Sequence, residues 1–327
     1  MQFRTAAGGP SQPDHGQPDL SRHTVLAGAS ASLLLPGLVG ACPPARAEAA
    51  RRLNAGRFKV TTLSEGYLVL PTSVLAPDAD KDQRAKALTA AGQSGDQDRS
   101  PLNVTLLQSD NETILIDVGS GSRFMTSAGR LEAALADFGV EADAITHVVF
   151  THAHPDHLWG TVNDFVEIAF PNASFHIAEA EWNFWMADDV LNRLDKARHG
   201  FAVGAKRNFE AIKSRLATFM PGAEVLPDIR AIGTEGHTPG NVSFEDGDAK
   251  SRIAILGDAL PHAVLCFQHP AWHMAMDHEP DRAAATRQRL LDRRAADGHQ
   301  LIGYHLPEPA IGRVQRRGRG FVFASTA

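Results

Sequence analysis

Three histidines and one aspartate fall within six positions of the stretch THAHPDHLWG, residues 151–160. Imidazole nitrogen and carboxylate oxygen are ligands that divalent transition metals accept, and the ligands must converge on the ion from different directions. We expect His152 and His154 to share one ion while Asp156 and His157 reach a second ion. A loop can turn neighbours such as Asp156 and His157 toward one centre, whereas a helix is expected not to do so. The stretch therefore predicts a loop that holds two cations side by side.

Two cations need more ligands than one loop provides, so the chain should carry further histidines or aspartates where later strands end. Three such residues follow apolar runs that are typical of strands: His237 in GHTPG, Asp258 in LGD, and His305. Residues at strand ends are the usual site-forming positions in sheet proteins. Together with the loop they give seven candidate ligands.

A metal pair held largely by neutral imidazoles stays strongly Lewis acidic. A water that bridges the two ions should then lose its proton near neutral pH. The resulting metal-bridging hydroxide could attack a carbonyl or phosphoryl group that one of the ions polarises. The predicted chemistry is hydrolysis, and it requires no serine or cysteine nucleophile.

Strands and helices must position these residues, and short β-branched runs alternate with helical segments from Phe58 onward. The predicted strands are 58–63, 104–107, 113–116, 145–150, 229–232, 242–244, 253–256, 301–304 and 321–323. The predicted helices are 131–138, which precedes Gly139, then 178–189, and 281–296, which precedes Gly298. A polar stretch over 77–100 is predicted to be a surface excursion, partly helical, or a lid. Strands in two groups, each mixed with helices, predict two sheets packed face to face with helices outside.

The order H-x-H-x-D-H, HTPG, GD and a late histidine resembles the ligand series of the metallo-β-lactamase superfamily, from about Phe58 to the end of the chain. Within it the chain is most similar to the methyl parathion hydrolase group, in FPNA at 170–173, in FW at 184–185 and in the region around His305. The resemblance implies the α/β class and an αββα sandwich, two mixed sheets face to face with helices outside. It implies one hydrolase domain over 48–327.

Carried over residue by residue, the resemblance implies two metal-binding groups that share one carboxylate. The first metal would be held by His152, His154 and His237, the second by Asp156, His157 and His305, with Asp258 bridging both. The cofactors would be two divalent ions, zinc first, with manganese, cobalt or iron as alternatives. Asp117, in IDVG, matches an early aspartate of the family that supports the loop from behind. The candidate catalytic carboxylates are Asp258, Asp156 and Asp117.

An apolar substrate pocket over the metals is predicted from five aromatic residues: Phe124, Trp182, Phe184, Trp185 and Phe201. The resemblance favours Phe124, Trp185 and Phe201 among them. For Trp182 and Trp185 the alternative is core packing of an amphipathic helix. His262 is a further candidate for the pocket, whereas the nearby His269, His273 and His278 are expected in solvated loops.

The charge of the chain bounds the class of substrate. The 327 residues carry a formal net charge of -6, with a pI of about 6.2, which gives no basic field for a nucleic-acid partner. The expected substrate is a small neutral ester, a lactone or an aryl ester, with phosphotriesters such as organophosphates as a further class. β-Lactamases of the superfamily commonly use a cysteine ligand, and Cys266 lies eight residues past Asp258, so β-lactam hydrolysis is disfavoured.

Other functions on the same fold stay open at this point. They are an iron-dependent sulfur dioxygenase, a glyoxalase II-like thioesterase, and a non-catalytic metal-binding or signal-binding protein. A dioxygenase would hold one iron and leave Asp156 and His157 less engaged. A homodimer is also left open.

Residues 1–47 are predicted to be an export signal rather than part of the fold. A polar start leads into an apolar run and then into ARA at 45–47, the order of a secretory signal and its cleavage site. The run is too short and too glycine-rich for a membrane span, so no transmembrane segment is expected in the mature chain. The expected location is periplasmic or secreted. The alternative is a lipid anchor on Cys42, because VGAC at 39–42 resembles a bacterial lipobox.

Overall fold

A computed structural model describes residues 52–93, 95–247 and 252–326 of the chain. The predicted export signal over 1–47 and the lipobox that ends at Cys42 lie outside these residues. Among the described residues, no helix combines the length and the apolar character that a membrane crossing requires. The described strands form two sheets of seven strands each.

The first sheet contains its seven strands in chain order. They are β1 (Arg52–Ala55), β2 (Phe58–Pro71), β3 (Gln97–Gln108), β4 (Thr113–Ile116), β5 (His147–Val149), β6 (Ser174–Ala178) and β7 (Leu216–Phe219). Strands β1 to β4 pair antiparallel, whereas β4 to β7 pair parallel. Because β4 and β5 are parallel neighbours, the segments that follow them leave the sheet at the same edge.

The second sheet also contains its strands in chain order. They are β8 (Glu224–Leu226), β9 (Ile229–Gly233), β10 (Val242–Asp246), β11 (Ile253–Ile255), β12 (Gln300–Ile302), β13 (Ile311–Arg317) and β14 (Gly320–Ser325). Only β11 and β12 pair parallel among these neighbours. Asp258 and His305, which follow β11 and β12, therefore also emerge at one edge.

Helices pack against both sheets. Those among the described residues are α1 (Lys81–Ala90), α2 (Leu131–Asp137), α3 (Pro155–Leu158), α4 (Glu179–Met186), α5 (His199–Ile212), α6 (Leu265–Gln268) and α7 (Pro280–Asp297). Strand β4 shows how the core is divided, because its side chains alternate between two faces. Ile114 and Ile116 belong to a buried cluster with Ile229 and Phe244 of the second sheet. Leu115 belongs to a second cluster, which includes residues of α2, α4 and α5.

The predicted sandwich of two mixed sheets with helices is confirmed, and several element boundaries agree closely. The strand predicted at 113–116 is β4, and the helix predicted at 131–138 is α2 within one residue. Gly139 and Gly298 adopt positive φ angles of 78° and 64°, as glycines that end helices do. The predicted strand 58–63 was too short, because β2 continues to Pro71 past a register shift at Gly66.

Two regions differ more from the sequence-based expectation. Helix α5 was not predicted, because its sequence HGFAVGAKRNFEAI contains two glycines, which weaken the helical signal. The polar stretch 77–100 is only partly an excursion: it contains α1, and its last residues belong to β3. The Asp80 carboxylate caps α1 by accepting hydrogen bonds from the backbone N–H groups of Asp82 and Gln83.

Candidate metal centre

Asp117 lies behind the start of the histidine-rich loop. It follows β4 and has a positive φ angle of 64°. Its carboxylate accepts hydrogen bonds from the backbone N–H and the hydroxyl of Thr151, both at 2.8 Å. The same carboxylate lies 2.8 Å from Nδ1 of His157. Because β4 and β5 are parallel neighbours, this one side chain reaches the residue that begins the loop and a histidine further along it.

Asp156 and His157 lie on the one-turn helix α3 rather than on an irregular loop. Pro155 occupies its first position, and the Leu158 N–H donates to the carbonyl of His154. Our expectation that a helix would aim such neighbours apart was wrong, since successive helical side chains diverge by only about 100°. Oδ2 of Asp156 lies 3.5 Å from Nε2 of His157. A single turn is therefore enough to point both side chains at one place.

The other three candidate ligands come from the second sheet. His237 follows β9, Asp258 lies in a 3-10 turn over Gly257–Ala259 after β11, and His305 follows β12. Gly257 has a φ angle of 51°, and a Cβ atom there would lie 2.7 Å from Cβ of Thr151. The missing side chain lets the Asp258 turn pack directly against the loop from the first sheet.

The seven candidate ligands converge in two groups, and within each group the potential ligand atoms lie within 4.8 Å of one another. The first group is His152, His154, His237 and Asp258, and the second is Asp156, His157 and His305. Oδ2 of Asp258 lies 3.2 Å from Nε2 of His237 and 3.2 Å from Nε2 of His305. Asp258 is thus placed between the two groups.

Two features of the ligand groups fit divalent cations: some of their buried polar atoms form no hydrogen bond, and their nitrogen and oxygen atoms are of the types that such metals bind. All seven side chains are buried. In the part of the chain that the structure describes, Nε2 of His152 has no hydrogen-bond partner, and Nε2 of His157 and Oδ1 of Asp258 lie 3.2 Å apart but form no hydrogen bond. Buried polar atoms without a partner are rare, and a bound ion would account for them. Nitrogen and carboxylate oxygen are also the donors that zinc and similar metals prefer.

The pKa values of two histidines in the cluster also show that its buried carboxylates favour nearby positive charge. Burial opposes the charged form of His305, but the carboxylates of Asp258 and Asp156 outweigh it and raise its pKa to about 10. Burial is likewise outweighed at His237, where Asp258 and Asp277 raise the pKa to about 9. Without metal, protons on these imidazoles balance the buried carboxylates. Cations bound by the deprotonated imidazoles would replace those protons.

An apolar cavity opens onto the two groups. Five candidate ligands line it: His154, Asp156, His237, Asp258 and His305. Its walls come mainly from the end of β2 and the turn after it, between 68 and 75, from the rings of Phe124 and Phe201, and from 274–276. None of the described residues that line the cavity is a lysine or an arginine. The cavity therefore suits an uncharged molecule with an apolar part.

Two of the five predicted aromatic pocket residues lie on this cavity, and Trp182, Phe184 and Trp185 do not. The rings of Phe124 and Phe201 meet edge to face, with centroids 5.9 Å apart, and both line the wall. Trp185 is fully buried, and Trp182 packs against Phe209 with centroids 5.2 Å apart. Neither tryptophan is among the lining residues, which agrees with the alternative of helix packing.

Two histidines near Asp258 have specific partners. His262 is buried, and its Nδ1 accepts hydrogen bonds from the backbone N–H groups of Val264 and Leu265 at 3.1 Å, so it holds a turn and does not line the cavity. His278 is partly buried, and its Nε2 lies 3.3 Å from Nε2 of His154. Burial lowers the pKa of His278 to about 3. The expectation of a solvated loop histidine was wrong for His278.

Sequence reasoning missed Glu181, a buried carboxylate that joins two of the ligand-bearing segments. Its Oε1 accepts hydrogen bonds from the Ala153 N–H at 2.9 Å and from Nε1 of Trp185 at 2.7 Å. Its Oε2 accepts from the Thr238 hydroxyl at 2.7 Å and from the Gly240 N–H at 2.9 Å. Glu181 thus ties the histidine-rich loop to the HTPG turn. No motif marks it, because a glutamate in the first turn of a helix is common.

The model of the metallo-beta-lactamase superfamily matches residues 98–298 of the chain. This match covers more than half of the sequence and includes six of the seven candidate ligands. The protein therefore belongs to the metallo-beta-lactamase superfamily.

Individual relatives and solved structures match the chain at low identity. The uncharacterized protein YobT of Bacillus subtilis (strain 168) is 30% identical over 163 residues, which are 49% of this chain and 62% of YobT. The chain thus spans less than two thirds of the length of that relative. The solved structure of AidC, a dizinc quorum-quenching lactonase, has a TM-score of 0.79 at 24% identity, covering 84% of this chain and 97% of AidC. The hydrolase AbOPH has a TM-score of 0.78 at 26% identity, with the same coverage.

Proposed function

We propose that the chain is a binuclear metal-dependent hydrolase of small neutral esters, with lactones and aryl esters as the first substrate class. The observation that carries this proposal is the position of Asp258. Its Oδ2 lies 3.2 Å from an imidazole of each ligand group, beside an apolar cavity. Two cations that share one carboxylate lie close enough to act on a single substrate group.

In this proposal each side chain has a definite task. His152, His154 and His237 would hold one cation, Asp156, His157 and His305 would hold the other, and Asp258 would be shared between them. Two divalent cations, zinc first, would supply Lewis acidity for an ester carbonyl and for the attacking water. Asp156 lines the cavity and belongs to one ligand group alone, so its carboxylate would be placed to take up a proton from water. Asp117 is a positioning residue, because it orients His157 through Nδ1.

The substrate class is inferred from the cavity. Its apolar wall and the lack of lysine or arginine among its described lining residues favour a neutral ester over an anionic one. AbOPH is described as a hydrolase, which supports the reaction class. The resemblance to the methyl parathion hydrolase group adds phosphotriesters as a second class to test. AidC is described as a lactonase, and at 24% identity it contributes only the fold to this argument.

The competing functions are less consistent with the site. A one-iron dioxygenase would leave Asp156 and His157 less engaged, yet Oδ2 of Asp156 lies 3.3 Å from Nε2 of His305 and 3.5 Å from Nε2 of His157. A thioesterase for a glutathione conjugate needs lysine or arginine side chains for the anionic conjugate, and the described lining contains neither. Cys266 is buried on α6, burial raises its pKa to about 12, and it belongs to neither group, which disfavours a cysteine-ligand β-lactamase.

The test uses full-length purified protein that has been freed of metal and then reloaded with zinc, manganese, cobalt or iron. Four chromogenic or pH-indicator substrates are compared: an N-acyl homoserine lactone, an aryl ester, an aryl phosphotriester and a thioester. We expect turnover of the lactone or the aryl ester with about two metal ions per chain, and loss of at least 1000-fold in kcat for Asp258→Asn, since the shared carboxylate is lost.

The matched control is Asp246→Asn, which removes a buried carboxyl that belongs to neither ligand group. It should retain the activity of the parent protein. Oxygen uptake with one iron per chain, hydrolysis of the thioester alone, or ligand binding without turnover would each reject the proposal. Activity that survives in Asp258→Asn would reject the mechanism.

Export is part of the same proposal and rests on the sequence of residues 1–47. A processed protein that begins at Glu48 in the periplasm or the medium is the expected product in a bacterial host. The amino terminus of the mature protein, read by mass spectrometry, tests this. A lipid-modified terminus at Cys42, lost in Cys42→Ser, would select the anchored alternative.

A further inference from the structure

An imidazole binds a metal through the nitrogen that carries no proton, and the partner of its other nitrogen decides which one that is. In the second ligand group the partners are clear. Nδ1 of His157 lies 2.8 Å from the Asp117 carboxylate, and Nδ1 of His305 lies 2.9 Å from the carbonyl oxygen of Pro101. Both histidines can therefore donate through Nδ1 and leave Nε2 for a cation.

In the first ligand group, Nδ1 of His152 lies 3.1 Å from the Thr151 hydroxyl, and the other two histidines have their partners on two consecutive residues of another segment. Nδ1 of His237 lies 3.1 Å from Oδ1 of Asp277, and Nε2 of His154 lies 3.3 Å from Nε2 of His278. The nitrogens left over, Nε2 of His237 and Nδ1 of His154, face each other at 2.9 Å. A bound cation would contact both of these nitrogens and would replace their contact with each other.

The segment that carries Asp277 and His278 is held in place by hydrogen bonds from Arg287. Oδ2 of Asp277 accepts a hydrogen bond from Nη1 of the buried Arg287 on α7, at 2.9 Å. Arg287 also donates to the carbonyl of Trp272 at 2.7 Å and to that of Pro270 at 3.2 Å. A buried carboxylate that is paired with arginine stays ionised and keeps a defined orientation.

The backbone adds a further constraint. The N–H of His278 donates to the carbonyl of His237 at 3.0 Å. The same segment forms part of the cavity wall, because Met274 and Met276 line it. The wall residues and the two side chains beside the ligands therefore belong to one segment.

We propose that Asp277 and His278 are positioning residues that fix which nitrogens His237 and His154 present to the first cation. For His278 to do this it accepts the proton of His154 Nε2–H through its own Nε2 and carries its own proton on Nδ1. Asp117 and the Pro101 carbonyl do the same for the second cation. The inference rests on the proposed binuclear site. It assigns the affinity of the first cation mainly to Asp277 and His278, and that of the second mainly to Asp117 and the Pro101 carbonyl.

The test measures metal affinity in the full-length protein with cadmium alone as the probe. Cadmium-113 NMR resolves the two sites, and competition with a chelator gives the affinity of each. We expect Asp277→Asn to weaken one of the two ions by about 10- to 100-fold, the usual effect of removing such a partner. Asp117→Asn should weaken the other ion more strongly, because Asp117 contacts His157 directly and reaches His152 of the first group only through the Thr151 hydroxyl. Asp246→Asn, which removes a buried carboxyl outside the ligand groups, should change neither.

A second pair of variants separates orientation from folding. His278→Gln keeps an acceptor for His154 Nε2–H and should retain the affinity of the first ion, whereas His278→Leu should lose it. The unfolding midpoint of each metal-free variant is measured alongside. The inference is overturned if Asp277→Asn weakens the binding of both ions equally or of neither. It is also overturned if His278→Gln and His278→Leu bind the first ion with the same affinity.

The same experiment distinguishes this inference from the proposed function. Two cadmium ions with the expected selectivity, in a protein that hydrolyses no ester, would leave the positioning roles standing and reject only the ester hydrolase. Ester hydrolysis in a protein whose Asp277 and His278 variants keep both affinities would reject only the positioning roles.

Discussion

Replacing Glu181 with glutamine keeps the shape of this buried side chain and removes its charge. The carboxylate accepts four hydrogen bonds, two on each oxygen. The amide nitrogen of glutamine cannot accept. Its best orientation is at the Oε2 position, where the Thr238 hydroxyl can rotate and become an acceptor. The Gly240 N–H then has no partner.

The expected loss of stability follows from that count. One buried N–H without a partner costs about 1–3 kcal/mol, and the two bonds that remain lose their charge assistance. Relief of the burial of a carboxylate, which raises the pKa of Glu181, offsets part of this cost. We expect a net loss of about 2 kcal/mol for Glu181→Gln. Glu181→Ala leaves all four donors without an acceptor, and by the same count we expect a loss of at least about 4 kcal/mol.

Urea unfolding of the metal-free protein measures these losses. Glu179→Gln, an exposed position on the same helix, is the matched control and should change stability by less than about 0.5 kcal/mol. Because Glu181 ties the histidine-rich loop to the HTPG turn, Glu181→Gln should also weaken metal binding. If Glu181→Gln unfolds at the same urea concentration as the parent and binds metal as tightly, Glu181 does not hold the histidine-rich loop against the HTPG turn.

Three further outcomes are expected. Burial raises the pKa of Asp246 to about 7, so the protonated carboxyl stabilises the fold below about pH 4, and this stabilisation is lost as the pH rises to about 7. In urea titrations, the free energy of unfolding of Asp246→Asn should match that of the parent near pH 4 and exceed it by on the order of 1–2 kcal/mol at pH 8. Parallel pH curves for the two proteins would contradict this. Gly257→Ala should cost more than Gly139→Ala in thermal unfolding, because both have positive φ but only Gly257 faces a neighbour within 4 Å, and equal losses would mean that the Thr151 contact is unimportant. Phe201→Ala should raise KM for a long-chain acyl lactone by about 10-fold and leave KM for a short-chain lactone unchanged, because the Phe201 ring lines the apolar cavity. The control is Val203→Ala, at an exposed position of the same helix. An equal rise of KM for both substrates would mean that Phe201 does not contact the acyl chain.

The ligand set is the part of the site that was readable from the sequence. His152, His154, Asp156 and His157 are close in space because they are close in the chain, so their spacing carries the signal directly. His237, Asp258 and His305 were identifiable because each follows a buried strand, and strand periodicity is a local pattern. The same local patterns predicted the two-sheet sandwich.

Residues that act through long-range contacts left no such pattern. Glu181 and Asp277 are ordinary carboxylates in the sequence, and their roles depend on donors brought to them by the packing of separate elements. His278 looked solvated because its contact with His154 joins positions 124 residues apart. The predicted tryptophans face the core because the orientation of α4 is decided by its packing and not by its composition.

The sequence by itself thus determined the donor types, their order and the fold that carries them, since these depend on local spacing and periodicity. The tertiary structure decided which nitrogen each histidine presents, which side chains line the cavity and which buried carboxylates support the site. Those features depend on hydrogen-bond directions and on close approach between distant segments, which become defined only when both sheets and their helices are packed together.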